Sequence, residues 1–119
     1  VKLKSILLFI IIIALITSAC TYQNKVEKRI IGKYVVNGVD SERLGWIMIE
    51  EDRTFVFNRG NATSYRPEGT YKVKQDKLIL SVNDDEVYYF KINGDSLIFE
   101  SGEMAEELID IGTVYELIR

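Results

Sequence analysis

Apolar residues run unbroken from Ile6 to Ile16, give way to a polar stretch, and are then replaced by alternating apolar and polar positions that continue to Ile118. Lys2 and Lys4 precede the apolar run, and the small residues Thr17, Ser18 and Ala19 lead from it into Cys20. At about 11 residues the run is shorter than the roughly 20 that a spanning helix needs. A basic start, a short apolar middle and a small-residue end form the pattern of an export signal, so residues 1–19 are expected to be removed. The segment from Thr21 to Arg29 is polar and does not alternate, which predicts a flexible tether over 20–29 and a folded domain over 30–119.

Beyond Ile30 the period is two, the signature of strands with one buried face. The runs 31–36, 45–49, 53–57, 69–74, 78–82, 86–92, 96–100 and 113–118 are rich in Val, Ile, Tyr and Phe, and each reads as a strand. Between them lie Asn37-Gly38, Glu50-Glu51-Asp52, Gln75-Asp76, Asn83-Asp84-Asp85 and Asn93-Gly94, all turn chemistry, the last predicting a two-residue hairpin. One segment departs from this period. Ser101 can cap a helix that places Met104, Leu108 and Ile111 on one face and Glu103, Glu106, Glu107 and Asp110 on another, with Gly112 as its stop. The whole predicts an all-β fold: a small antiparallel meander barrel of about eight strands, with one short helix before the last strand. Closure would leave no strand edge exposed, and a barrel of this size is either filled by side chains or holds one small ligand.

Composition narrows the chemistry. The chain has one cysteine and no histidine, so it forms no internal disulfide and lacks the imidazole base of common hydrolytic triads and of most zinc sites. Without the signal, the acidic residues outnumber the basic ones and the net charge is about −5, which argues against nucleic acid as a partner. Catalysis would have to rest on carboxylates, Tyr, Lys or Ser, and no motif gathers them. No enzymatic activity and no cofactor are expected.

Several groups are candidates for binding. Asn83, Asp84, Asp85 and Glu86 bunch oxygen ligands of the kind calcium accepts, although the same residues make ordinary turns. Glu50, Glu51 and Asp52 offer paired carboxylates, but on a turn rather than in a cleft. Trp46 with Tyr88 or Tyr89 could line an apolar pocket or pack the core. The acidic face of Glu103, Glu106, Glu107 and Asp110 could meet a basic partner or be a solvated helix face. The best candidate is the loop over 58–68, where Arg59, Tyr65 and Arg66 combine charge with an aromatic ring, the residue types that dominate binding hot spots.

The tail of the export signal, Ser18-Ala19-Cys20, resembles the lipobox of bacterial lipoproteins. Gly32-Lys33-Tyr34, Asp52-Arg53-Thr54-Phe55, Gly69-Thr70-Tyr71-Lys72-Val73 and Gly94-Asp95-Ser96-Leu97 resemble the lipocalin-like small β-barrels found in many such lipoproteins. The first resemblance implies cleavage between Ala19 and Cys20, fatty acylation of Cys20 by chains such as palmitate, and an extracytoplasmic protein anchored to the cell membrane by lipid. The second implies a fold more than an activity. The expected function is a lipid-anchored binding protein of the cell envelope. The alternatives are a carrier of a small apolar ligand, or an immunity or inhibitor lipoprotein that sequesters an exported toxin or enzyme. Expected partners are membrane lipid, through acylated Cys20, and an envelope protein or small apolar ligand.

Overall fold

The computed structural model describes residues 25–60, 63–102 and 105–119. Eight strands follow one another around a closed antiparallel barrel: β1 (Gly32–Val36), β2 (Trp46–Ile49), β3 (Thr54–Asn58), β4 (Glu68–Lys74), β5 (Lys77–Ser81), β6 (Val87–Asn93), β7 (Ser96–Ser101) and β8 (Val114–Ile118). Each pairs with its neighbours in sequence, and β8 closes on β1 with Tyr34 opposite Leu117 and Val36 opposite Tyr115. The predicted strands are all present, with bounds within one residue of those read from the alternation.

The period-two pattern decides which side chains enter the barrel. Along β4, Tyr71 and Val73 are buried while Lys72 and Lys74 are exposed; along β6, Tyr88, Phe90 and Ile92 are buried while Tyr89, Lys91 and Asn93 are exposed. The interior is filled. Phe57 meets Tyr88, Phe90 and Tyr115 edge to face at centroid separations of 5.2, 5.6 and 6.1 Å, and Phe90 meets Phe99 at 5.5 Å. Edge-to-face contacts place the positive rim of one ring against the negative face of the next, so these rings pack at fixed angles.

In an up-and-down barrel alternate connections fall at opposite ends. The tight turns over 50–53, 75–76 and 94–95 lie at one end, and the long connections over 37–45, 59–67, 82–86 and 102–113 gather at the other, forming a loop rim. The turn end is covered by residues 25–29, which are helical. Val26 and Ile30 are buried in the core, the Tyr34 hydroxyl donates to the Ile30 carbonyl at 2.8 Å, and Glu27 pairs with Arg53 at 3.1 Å. Lys25 to Arg29 is therefore part of the fold, which corrects the flexible tether expected there: two apolar residues among the charges suffice to seat one helical turn on the open barrel end. Every core residue among those described lies between Val26 and Tyr115.

The expected helix is shorter than its pattern suggested and turned differently. Among the described residues only Ala105–Glu107 forms a 3-10 turn, and Ser101 is the last residue of β7. Ala105 and Ile109 are buried at the loop rim, whereas Leu108 and Ile111, expected on the apolar face, are 40% and 68% exposed. A 3-10 turn repeats every three residues, so a face drawn for a 3.6-residue period cannot persist along it. Met104 and Glu103 lie outside the described residues, as do Ala19 and Cys20. The hairpin at Asn93-Gly94 is displaced by one residue: Asn93 pairs with Ser96, and Gly94-Asp95 make the turn with Gly94 at φ 59°.

Candidate functional site

The loop rim is built on Asn58. β3 ends one position beyond Phe57, and the buried Asn58 side chain ties two loops together there. Its amide donates to the Glu42 carbonyl and to Glu42 Oε2, both at 3.1 Å, and its oxygen accepts from the Gly60 amide at 3.0 Å. Gly45, at φ 101°, lets the first loop pass: a Cβ there would lie 2.6 Å from the Asn58 carbonyl oxygen. Replacing Asn58 with Ala is expected to lower stability by about 1–3 kcal/mol, because Glu42 and Gly60 lose their partner in a partly buried place. A urea denaturation midpoint checks this.

Trp46 lies outside the barrel. Ile47 and Ile49 take the inward positions of β2, so Trp46 points the other way, contrary to both the pocket and the core expected of it. Its indole N–H donates to Glu42 Oε1 at 3.0 Å, and its ring carries Lys33 Nζ at 5.3 Å and the Arg66 guanidinium at 5.7 Å from the centroid. Arg66 also pairs with Glu42 at 2.8 Å. Arg66 thus holds two loops in register rather than standing free for a ligand.

Arg59 and Tyr65 form a separate cluster, with the Arg59 guanidinium 5.1 Å from the centre of the Tyr65 ring. The Tyr65 hydroxyl donates to Glu86 Oε1 at 3.1 Å, and Glu86 Oε2 accepts from the Tyr88 hydroxyl. Desolvation, then the bond to Glu86, raises the Tyr65 phenol above its usual range; the same two causes raise Tyr88 further. Of the three residues picked from the sequence, the structure therefore joins Arg59 to Tyr65 and places Arg66 with Trp46. Glu42 is not among the candidates read from the sequence, Asn58 enters there only as the first residue of the loop, and Glu86 only as a possible calcium ligand. Gly45 and Gly60 bracket the crossing of the two loops and are the one local signal for it.

The remaining candidates have local roles. The Asn83 side chain accepts from the amides of Asp85 and Glu86 at 2.8 and 2.9 Å, closing a turn. Among the described residues, no group of three or more acidic, cysteine or histidine side chains is placed to hold a metal ion. Thr54 donates to Glu50 and Asp52, and its hydroxyl bond holds the Asp52 carboxyl below the usual range on an exposed turn. A shallow groove of about 540 Å³ runs over the outer face of β4 to β7, but its Lys77 is paired with Glu100.

The rim as a whole is acidic. Among its described residues, Asp40 and Glu42 lie in the first loop, Asp84, Asp85 and Glu86 in the third, and Glu106, Glu107 and Asp110 in the fourth, against Arg43, Arg59 and Arg66. Compared with protein-family models, curated proteins and solved structures, the chain matches none.

Proposed function

We propose that this protein is a lipid-anchored binding protein of the cell envelope that captures a cationic partner, a basic protein or peptide, on its loop rim without chemical turnover. The observation that carries this reading is the gathering of the four longer connections, three of them acidic, at one end of a rigid barrel, opposite the end where the chain enters from Cys20. Four residues separate Cys20 from Lys25, so the two lie five backbone steps and at most about 18 Å apart. An anchor at Cys20 would therefore hold the turn end near the lipid and present the rim outward. A diacylglyceryl group in thioether linkage to Cys20 carries two acyl chains, which would suffice for stable attachment.

The acidic rim favours sequestration of a basic exported toxin or enzyme as the form this binding takes. The carrier alternative requires interior room, and the rings around Phe57 and Phe90 occupy that space. Binding would use complementary charge to raise the encounter rate and loop contacts to hold the partner.

In cells, Cys20→Ser is expected to move the protein from the membrane fraction to the soluble extracytoplasmic fraction, and mass spectrometry of the wild-type amino-terminal peptide should find a diacylated Cys20. A wild-type protein that is unacylated, with its first nineteen residues retained, would refute the anchoring.

A further inference from the structure

Arg59 is 94% buried, yet its Nε and Nη1 have no hydrogen-bond partner. Buried polar groups are nearly always paired, and a guanidinium cannot shed its proton to escape the cost. Among the described residues it lies against the face of Tyr65, which attracts a cation but accepts no N–H bond in its plane. The nearest acid in this cluster, Glu86, has both carboxylate oxygens engaged by the phenols of Tyr65 and Tyr88. A water molecule could satisfy an N–H group. It would bring no negative charge of its own.

We propose that Arg59 is the seat of an oxyanion, a carboxylate or a phosphate, carried by the ligand. The planar guanidinium matches either group geometrically. Tyr65, half exposed and held by its hydroxyl to Glu86 and by its ring to Arg59, is the side chain that must swing aside to admit it. The acids of the rim, Asp84, Asp85, Glu106 and Glu107 among them, repel a ligand that is anionic throughout. The ligand is therefore a cationic body bearing one oxyanion. This deepens the reading of the rim as a cation-binding surface and rests on it.

The test uses residues 20–119 with Cys20→Ser, which contain every core residue among those described, followed by 1H–15N NMR with the arginine Nε–H groups resolved. Dilysine, with a free carboxylate on a cationic body, is titrated against its carboxyl amide at equal ionic strength, and inorganic phosphate is titrated separately. Dilysine should bind about tenfold tighter than the amide and move the Arg59 Nε–H resonance saturably. Arg59→Gln should abolish that difference while circular dichroism shows the barrel intact, and Arg59→Lys, without the planar fork, should lose most of it. A saturable Arg59 response to dilysine or to phosphate supports the seat. If both peptides shift rim amides equally and neither oxyanion moves Arg59, the seat is wrong and the acidic rim stands. If neither peptide shifts rim amides, the rim reading fails as well.

Discussion

Phe57→Ala should remove a large share of the protein's stability, lowering it by about 3–5 kcal/mol in urea or thermal unfolding. Phe57 is fully buried and is the ring on which Tyr88, Phe90 and Tyr115 converge. Small domains have only about 5–15 kcal/mol in total, so the variant should approach the threshold of folding. The barrel wall limits collapse around the vacancy, because the strands that would have to move inward are hydrogen-bonded to neighbours on both sides. Phe57→Leu keeps most of the apolar volume and should cost markedly less. A loss below about 1 kcal/mol for Phe57→Ala would mean that the interior repacks freely and is not the fixed ring cluster described.

Raising the pH should unfold the barrel cooperatively. Burial pushes the phenols of Tyr34, Tyr88 and Tyr115 well above the ordinary tyrosine value, with the Glu86 hydrogen bond adding to the effect at Tyr88 and the Asp95 charge adding to it at Tyr34. A folded-state value above the unfolded one, near 10, means the unfolded chain releases these protons first. The stabilisation is complete below about pH 10 and is lost as the pH rises beyond it toward the folded values. Tyrosinate absorbance from these three residues should therefore appear together with the loss of β circular dichroism. Ionisation of all tyrosines near pH 10 with the sheet intact would contradict their burial.

Much of this fold is legible in the chain because period-two alternation is a direct image of a one-sided sheet. Tyr71 and Val73 against Lys72 and Lys74 leave no ambiguity about which face is buried. Strand ends are less legible. Arg53 reads as the first residue of a strand but takes φ 65° to close the turn before β3, a conformation that turn geometry imposes on whichever residue stands there. The segment after Ser101 misleads for a different reason: spacing alone does not distinguish a full helix from a single 3-10 turn, and the burial of Ala105 under the rim, not apolar spacing, sets its orientation.

The candidate site is only partly legible. Arg59, Tyr65 and Arg66 share a loop in sequence, but their partners Glu42, Trp46 and Glu86 come from two other connections and a strand, so no local pattern could separate the Arg59 cluster from the Arg66 cluster. The concentration of acids at one end is likewise a property of the closed topology. Asp40, Asp84 and Glu106 are dispersed along the chain and become neighbours in one rim only when alternate connections are sorted to opposite ends.

The most direct test of outward presentation of the rim is site-specific photo-crosslinking in living cells, with the reactive side chain placed at Asp85 or Ile111 on the rim and at Glu51 or Asp76 on the turn end; all four positions are exposed. Recognition by the rim predicts a discrete protein adduct from Asp85 and Ile111 and none from Glu51 and Asp76. The same adduct from Glu51 or Asp76, with none from the rim positions, would contradict it.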